Sequence, residues 1–326
     1  MEMNSCNHLV CVRCMTFNHA PYIVDAMNGF TMQQTTFPFV CTIVDDASTD
    51  GEQEIIRNYL HENFDLKDNS IVRNEETDDY VLCFAQHKMN KNCYFAVLWL
   101  KFNHYSIKKA KKPYLVEWDN NAKYIAMCEG DDYWIDPLKL QKQFNFMEAH
   151  PEYSLCFHAN YELFPSGEKK IYKPKELKEQ YSPDDVILGG GGFMATCSMF
   201  YRGKYLLNEG KPDFLRNCPI GDLPLMLYYV AKGNIGYIDE VMSVYRRIVP
   251  GSWSIRQNGI RAQFKHYKAS LKMYDEYDKY TGYKYHHTIL KRKKQRRKVF
   301  LKSLLKILLK RYVKKEFINP LISKGH

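Results

Sequence analysis

Short apolar runs alternate with helix-compatible stretches through most of the chain. Residues 9–15, which include Val10 and Val12, form the first run, and residues 40–44 the second. The polar segment between them, Thr16-Phe17-Asn18-His19-Ala20-Pro21-Tyr22, places Pro21 where the first turn of a helix accepts it, and that helix is expected to reach about Gln33. Strand, helix and strand at this spacing predict a parallel βαβ unit. Asp50-Gly51 reads as a turn, residues 52–60 as a second helix and residues 70–73 as a third strand. Tyr124-Ile125-Ala126-Met127 is another run of strand length, and it stops on Glu129-Gly130-Asp131-Asp132. Residues 137–150 read as a helix closed by Pro151, residues 153–158 as a strand and residues 236–246 as the closing strand. Residues 93–112, aromatic and basic, read as a helix with a solvated basic face. Residues 169–185 read as a polar loop.

In an open parallel sheet, ligands bind outside the carboxyl ends of the strands. The loops after Thr16, Val44, Val72 and Met127 would gather on that edge, and they carry Asp45, Asp46, Arg73 and the acids of 129–132. Carboxylates crowded at a strand end repel one another unless a cation lies between them, and Mg²⁺ or Mn²⁺ prefers such oxygen ligands. An isolated Asp-Asp pair would read as a solvated acidic turn; beside an arginine the group suits a metal-bound phosphate ester. Asp222 lies between apolar residues, and on sequence alone it reads as a helix N-cap. The four glycines 189–192 are not followed by Gly-Lys-Ser/Thr, so they are not a phosphate loop; they read as a hinge or a close approach of a ligand to backbone.

The chain has 326 residues, 45% of them hydrophobic and 26% charged, enough to bury a sizeable core in one large or two modest domains. Its 10 cysteines are scattered through apolar runs, which fits reduced thiols in a cytosolic compartment better than a disulfide framework. Cys11 and Cys14 form a C-x-x-C within a strand-like run, where they face opposite sides as core residues. The polar residues 1–8 lack the order of a signal peptide, and no apolar stretch approaches the roughly 20 residues of a spanning helix. Any membrane contact is therefore expected to be peripheral. Net charge is +10, unevenly placed: residues 262–326 hold 19 basic against 4 acidic residues, leaving −5 for residues 1–261. Seven of the eight residues 291–298 are Lys or Arg. Through 299–315, Leu301, Leu304, Leu305, Leu308 and Tyr312 fall on one helical face and Lys302, Lys306, Lys310 and Lys314 on another. Such a helix suits an anionic membrane interface, with packing on the body as the second reading and nucleic acid as the third.

Thr16-Phe17-Asn18 with Tyr22, then Val44-Asp45-Asp46-Ala47-Ser48-Thr49-Asp50-Gly51, then Glu129-Gly130-Asp131-Asp132, resemble the ordered motifs of family-2 glycosyltransferases over residues 9 to about 250. The longer run Cys128-Glu129-Gly130-Asp131-Asp132-Tyr133-Trp134-Ile135-Asp136-Pro137-Leu138-Lys139-Leu140 is similar to a bacterial subgroup tied to capsule and lipopolysaccharide assembly. The resemblance implies an α/β, GT-A, Rossmann-like and mostly parallel sheet flanked by helices in residues 1–250, with a basic helical extension in 251–326. It implies a nucleotide-sugar donor and a saccharide or lipid-linked acceptor. Thr16, Asn18, Tyr22, Asp45, Asp46, Arg73, Glu129 and Asp131 are the implied donor contacts. Asp45, with Asp46, would hold the base. Asp131 and Asp132 would hold Mg²⁺ or Mn²⁺, and Glu129, where the family has Asp, would turn to the ribose. Asp222 matches the carboxylate that takes the acceptor proton, with Gly221 in place of the usual Glu. Arg246 or Arg247 would supply positive charge to the diphosphate.

The expectation is an inverting, metal-dependent glycosyltransferase of surface-polysaccharide assembly, cytoplasmic and peripheral to the inner face of the membrane. Two rivals stand beside it. A nucleotidyltransferase would use a similar edge and metal, but its Gly-rich, basic first loop is missing from 16–22. A basic-tail nucleic-acid-binding protein would leave the acidic strand ends unexplained, and no nucleic acid is expected as partner.

Overall fold

The predicted βαβ unit forms the centre of the structure, a computed structural model that describes residues 8–68, 71–205, 212–216, 218, 221–249 and 259–322, with side chains to 307. Strand β1 (Val10–Thr16) is followed by helix α1 (Ile23–Thr31), β2 (Phe39–Asp45) and helix α2 (Glu52–Asn63). Both strands are almost wholly buried, as a parallel sheet covered on two faces requires. Ile23, Ala26, Met27 and Phe30 recur at helical spacing and are all buried, so α1 lays one apolar stripe on the sheet. Arg13, the charged residue of β1, is matched by the buried Asp119 of α3 (Val116–Asn121) and donates to the Tyr201 hydroxyl at 3.2 Å.

The residues cluster into two compact units. The first comprises Met1–Ser182, Gly191–Gly210 and Tyr229–Val249; the second comprises Pro183–Gly190, Lys211–Tyr228 and Pro250–His326. Among the described residues the first holds a 13-stranded sheet. Its parallel centre runs β7-β1-β2-β6, with β6 at Cys93–Leu100 and β7 at Tyr124–Met127. Beyond β6 lie the antiparallel β5 (Tyr80–His87), β3 (Phe64–Asp65) and β4 (Arg73–Glu76). Beyond β7, β12 (Phe200–Arg202) runs antiparallel between β7 and β9 (Tyr153–Leu163), and β13 (Asn234–Arg246) lies parallel to β9. β8 (Tyr133–Trp134), β10 (Lys169–Tyr172) and β11 (Gln180–Tyr181) add short antiparallel pairs, and α4 (Lys139–Ala149) follows the acidic loop.

Three expectations need correcting. The third parallel strand is β6, not residues 70–73: Arg73 begins the antiparallel edge strand β4. An apolar run rich in aromatic residues, Tyr94 to Trp99, makes 93–100 a buried strand rather than a helix, and only the loop after it carries the lysines. Residues 169–185 are not simply a loop, since they include β10, β11 and the start of helix α5 (Pro183–Gly189).

The second unit is helical, with α5, α6 (Asp213–Arg216), most of α7 (Asp222–Val230), α8 (Ile260–Tyr280) and α9 (His286–Ile322). Phe214 packs edge-on to Tyr277, and Phe300 stacks on Tyr267 at 4.4 Å. Gly190, first after α5, has φ +65° and serves as the seat for an arginine. A Cβ there would lie 2.6 Å from Cζ of Arg292, whose guanidinium donates to the Leu188 carbonyl at 2.9 Å and so closes the helix end. This packing accounts for the first glycine after the helix. Gly190→Ala is expected to destabilise by about 1–3 kcal/mol, the sum of left-handed backbone cost and displacement of Arg292. An unchanged denaturation midpoint would contradict that packing.

Candidate active site

The chain leaves β1 for β2 and β6 on one side and returns to β7 on the other, so the strand order reverses between β1 and β7. The loops after these two strands meet there. The Gly130 amide donates to the Met15 carbonyl at 3.1 Å, and a Cβ on Gly130 would lie 2.7 Å from Cβ of Thr16. Only a glycine lets the acidic loop press this closely on the end of β1. The contact leaves Glu129 exposed, Asp131 half-buried and Asp132 fully buried.

The three acids have separate surroundings. Asp131 faces His19, with Oδ2 3.8 Å from Nε2, while its carbonyl accepts from Arg246 Nη1 at 2.9 Å. Asp132 accepts from the Arg246 amide at 2.8 Å through Oδ1, and its Oδ2 has no hydrogen-bond partner among the described residues. Burial, with the charges of Asp131 and Glu129, holds the Asp132 carboxyl well above the usual carboxylate range. Its field adds to burial in suppressing ionisation of the Cys14, Cys128 and Cys197 thiols. Asp132 is thus the buried member of the acidic loop, beside the partly exposed Asp131, with one carboxylate oxygen unpartnered among the described residues.

Arg246, at the end of β13, fastens the loop from the other side. Its guanidinium lies 5.0 Å from the Tyr22 ring and 4.4 Å from the Tyr133 ring, and pairs with Asp25 of α1. These engagements make it a clamp on the acidic loop. Behind the loop, the buried Lys139 lies 3.9 Å over Trp134 and donates to Gln143 at 2.7 Å; burial pushes its pKa down to about 8.

The β1 and β2 loops converge on Glu52, the first residue of α2. Its buried carboxylate accepts from the Thr16 hydroxyl, the His19 amide at 2.9 Å and the Ser48 hydroxyl at 2.8 Å. Desolvation raises its pKa, outweighing the donors that stabilise its charge. Asn18 and Ala47 both have left-handed backbone, with φ of 56° and 61°, and the Asn18 amide donates to Ser48. Asp45 is buried; Oδ1 accepts from the Ser48 amide at 3.0 Å and from Gln53 Nε2 at 2.6 Å, while Oδ2 lacks a partner among the described residues. Asp46 is saturated by the amides of His104 and Tyr105 and by Lys111 Nζ at 2.7 Å. It anchors the loop after β6.

Thr16, Asn18, Tyr22, Asp45, Asp46, Glu129, Asp131 and Asp132 therefore share one edge of the first unit. Arg73 does not join them: it forms a two-pronged pair with Glu117 at 2.6 and 2.8 Å and lies over Trp118. Asp222 opens α7 in the second unit, where Oδ1 accepts from the Leu223 amide at 2.8 Å and burial raises its pKa. Pro219, Ile220 and residues 250–253 lie outside the described residues. Glu52 and His19 escaped the sequence reading; a glutamate opening the helix directly after an acidic strand end is the signal that could have marked the first.

No protein-family model matches the chain. It is 30% identical over 240 residues to an uncharacterized protein of Mycobacterium bovis and to uncharacterized proteins of two Mycobacterium tuberculosis strains, covering 73% of this chain and 59% of theirs. The chain thus spans about three-fifths of the length of these relatives. Among solved structures it resembles a Staphylococcus aureus TarS fragment in complex with UDP-GlcNAc, with a TM-score of 0.51, 15% identity and coverage of 82% of this chain and 66% of that one. It also resembles the mannosyltransferase PcManGT of Pyrobaculum calidifontis in complex with GDP-Man and Mn²⁺, with a TM-score of 0.50, 12% identity and coverage of 82% and 64%. The fold is that of these glycosyltransferases.

Two outcomes follow. Gly130→Ala is expected to cost about 1–3 kcal/mol, because the Thr16 side chain and the loop must separate; a midpoint equal to wild type would contradict the close contact. In EDTA, wild-type stability is expected to fall as pH rises above the ordinary carboxylate range, because the unfolded state ionises Asp132 while the folded state resists. The fall ends once the raised folded pKa is passed. Asp132→Asn keeps the acceptor for the Arg246 amide and should flatten this slope; an unaltered slope in denaturant titrations would contradict the assignment.

Proposed function

We propose that this chain is a glycosyltransferase that moves a sugar from a nucleotide-sugar donor to a hydroxyl of a saccharide or lipid-linked acceptor with inversion, in surface-polysaccharide or lipopolysaccharide assembly. The observation that carries the reading is the acidic loop pressed by Gly130 onto β1 at the reversal of strand order, where α/β sheets bind ligands. Likeness of fold to TarS in complex with UDP-GlcNAc and to a mannosyltransferase in complex with GDP-Man supports it.

In this reading, Asp45 holds the base through Oδ2, the buried oxygen that awaits a donor. Thr16, Asn18 and Tyr22 shape the donor cleft; Asp46 acts through the loop it anchors. The residues present fit a hard divalent cation: Asp131 is half-buried and Glu129 exposed on the same loop, both with oxygen donors, and such ions take few protein ligands when a diphosphate supplies the rest. Mg²⁺ or Mn²⁺ bound there would offset charge on the departing nucleoside diphosphate. Asp222 takes the proton from the attacking hydroxyl; its raised pKa brings the base nearer to the working pH, which favours proton transfer. The placement of the enzyme is cytoplasmic.

Nucleoside-diphosphate release from a panel of nucleotide sugars tests this reading. Asp222→Asn is expected to lower turnover about 10²–10⁴-fold. Wild-type turnover should fall as pH drops through the raised Asp222 pKa, since only the ionised carboxylate accepts the proton. Turnover left intact by both Asp131→Ala and Asp222→Asn would overturn the site.

A further inference from the structure

The second unit carries charge that the proposed chemistry does not use. Residues 286–315 contain thirteen Lys and Arg and no Asp or Glu. The structure sorts the described part of this run into two faces. On one, Ile289 is buried, Arg292 donates to the Tyr274 hydroxyl and the Leu188 carbonyl, and Arg296 reaches His266 and Ser270. Further along the same face, Phe300 stacks on Tyr267 and Ser303 donates to Gln263. These positions recur every three or four residues, so this face of α9 packs within its own unit. Part of the basic run is therefore internal.

The opposite face is exposed. Leu290, Lys294, Lys298, Leu301 and Leu305 follow one another at helical spacing, and the three leucines are 49%, 48% and 60% exposed. Lys291, Arg297, Lys302 and Lys306 flank them and are exposed as well.

We infer that this face of α9 docks on an anionic lipid surface, lying in the headgroup plane. Charge and apolarity together select that occupant. Lys and Arg near an anionic leaflet are attracted by its negative potential, and leucines among them enter the acyl boundary. A nucleic acid would be held by the cations and would have no use for three half-exposed leucines. Among the described residues no helix is long and apolar enough to cross a membrane, which suits a helix lying on the surface. The inference is independent of the donor chemistry and stands or falls apart from it.

Sedimentation of the full chain with vesicles of mixed phosphatidylglycerol and phosphatidylcholine, against phosphatidylcholine alone, tests it. Binding is expected only to the anionic vesicles and should weaken with salt. Neutralising Lys294, Lys298 and Lys302 to Gln should lower partitioning on the order of a hundredfold. Leu301→Ser with Leu305→Ser should lower it about tenfold or more while leaving binding to duplex DNA, used as a polyanion probe, unchanged. The substituted side chains are exposed, and far-UV circular dichroism matching wild type confirms that α9 is kept. Vesicle binding indifferent to both sets would overturn the inference. So would binding to vesicles and DNA that is lost together with the lysines and untouched by the leucine changes, which would assign the face to nucleic acid.

Discussion

Negative charge concentrated at the end of β7 is the constraint around which the rest of the first unit is arranged. Three carboxylates within four residues would push the loop outward into water if nothing held it. Gly130 holds it from one side, because its missing Cβ brings the loop onto Thr16 and the Met15 carbonyl. Arg246 holds it from the other, through the Asp131 carbonyl, the Asp132 carboxylate and the Tyr22 and Tyr133 rings. The repulsion is thus divided: Asp132 is buried with a raised pKa, Asp131 is partly buried beside His19, and Glu129 is exposed.

The same division of labour runs through the other acids of the edge. Asp46 and Glu52 are each filled by three donors from neighbouring loops, and they fix those loops in place. Asp45 keeps one buried oxygen without a donor among the described residues, a cost that a base N–H would offset in the proposed reading. Two carboxylates therefore organise the backbone for a third. The left-handed turns at Asn18 and Ala47 lie in the same loops and are held there by this bonding.

Much of the fold was legible because its signals are local. The strands at 10–16, 39–45 and 124–127, and the helices after the first two of these, follow from apolar runs and turn residues, and the shared edge of their acids follows from parallel pairing. What escaped depended on contacts far along the chain. Arg73 looked like a strand-end cation, but only the pairing of β4 with β5 and the two-pronged bond to Glu117 reveal it as an edge residue occupied elsewhere. Asp131 and Asp132 are neighbours in sequence and look equivalent; β13, more than a hundred residues later, makes one a core residue. Glu52 reads as an ordinary first-turn acid until the loops from β1 and β2 close on it. In the basic run, spacing alone could not separate arginines that pack on α8 from lysines that face outward.

The central claim is that the acids of this loop bind a nucleotide-sugar donor together with a divalent cation. Calorimetric titration of UDP- and GDP-sugars into the protein with Mn²⁺, and again with EDTA, tests it most directly. The account predicts saturable binding of a donor that needs Mn²⁺, is lost in Asp131→Ala and survives in Asp132→Asn. Donor binding of equal strength in EDTA and in Asp131→Ala would contradict it.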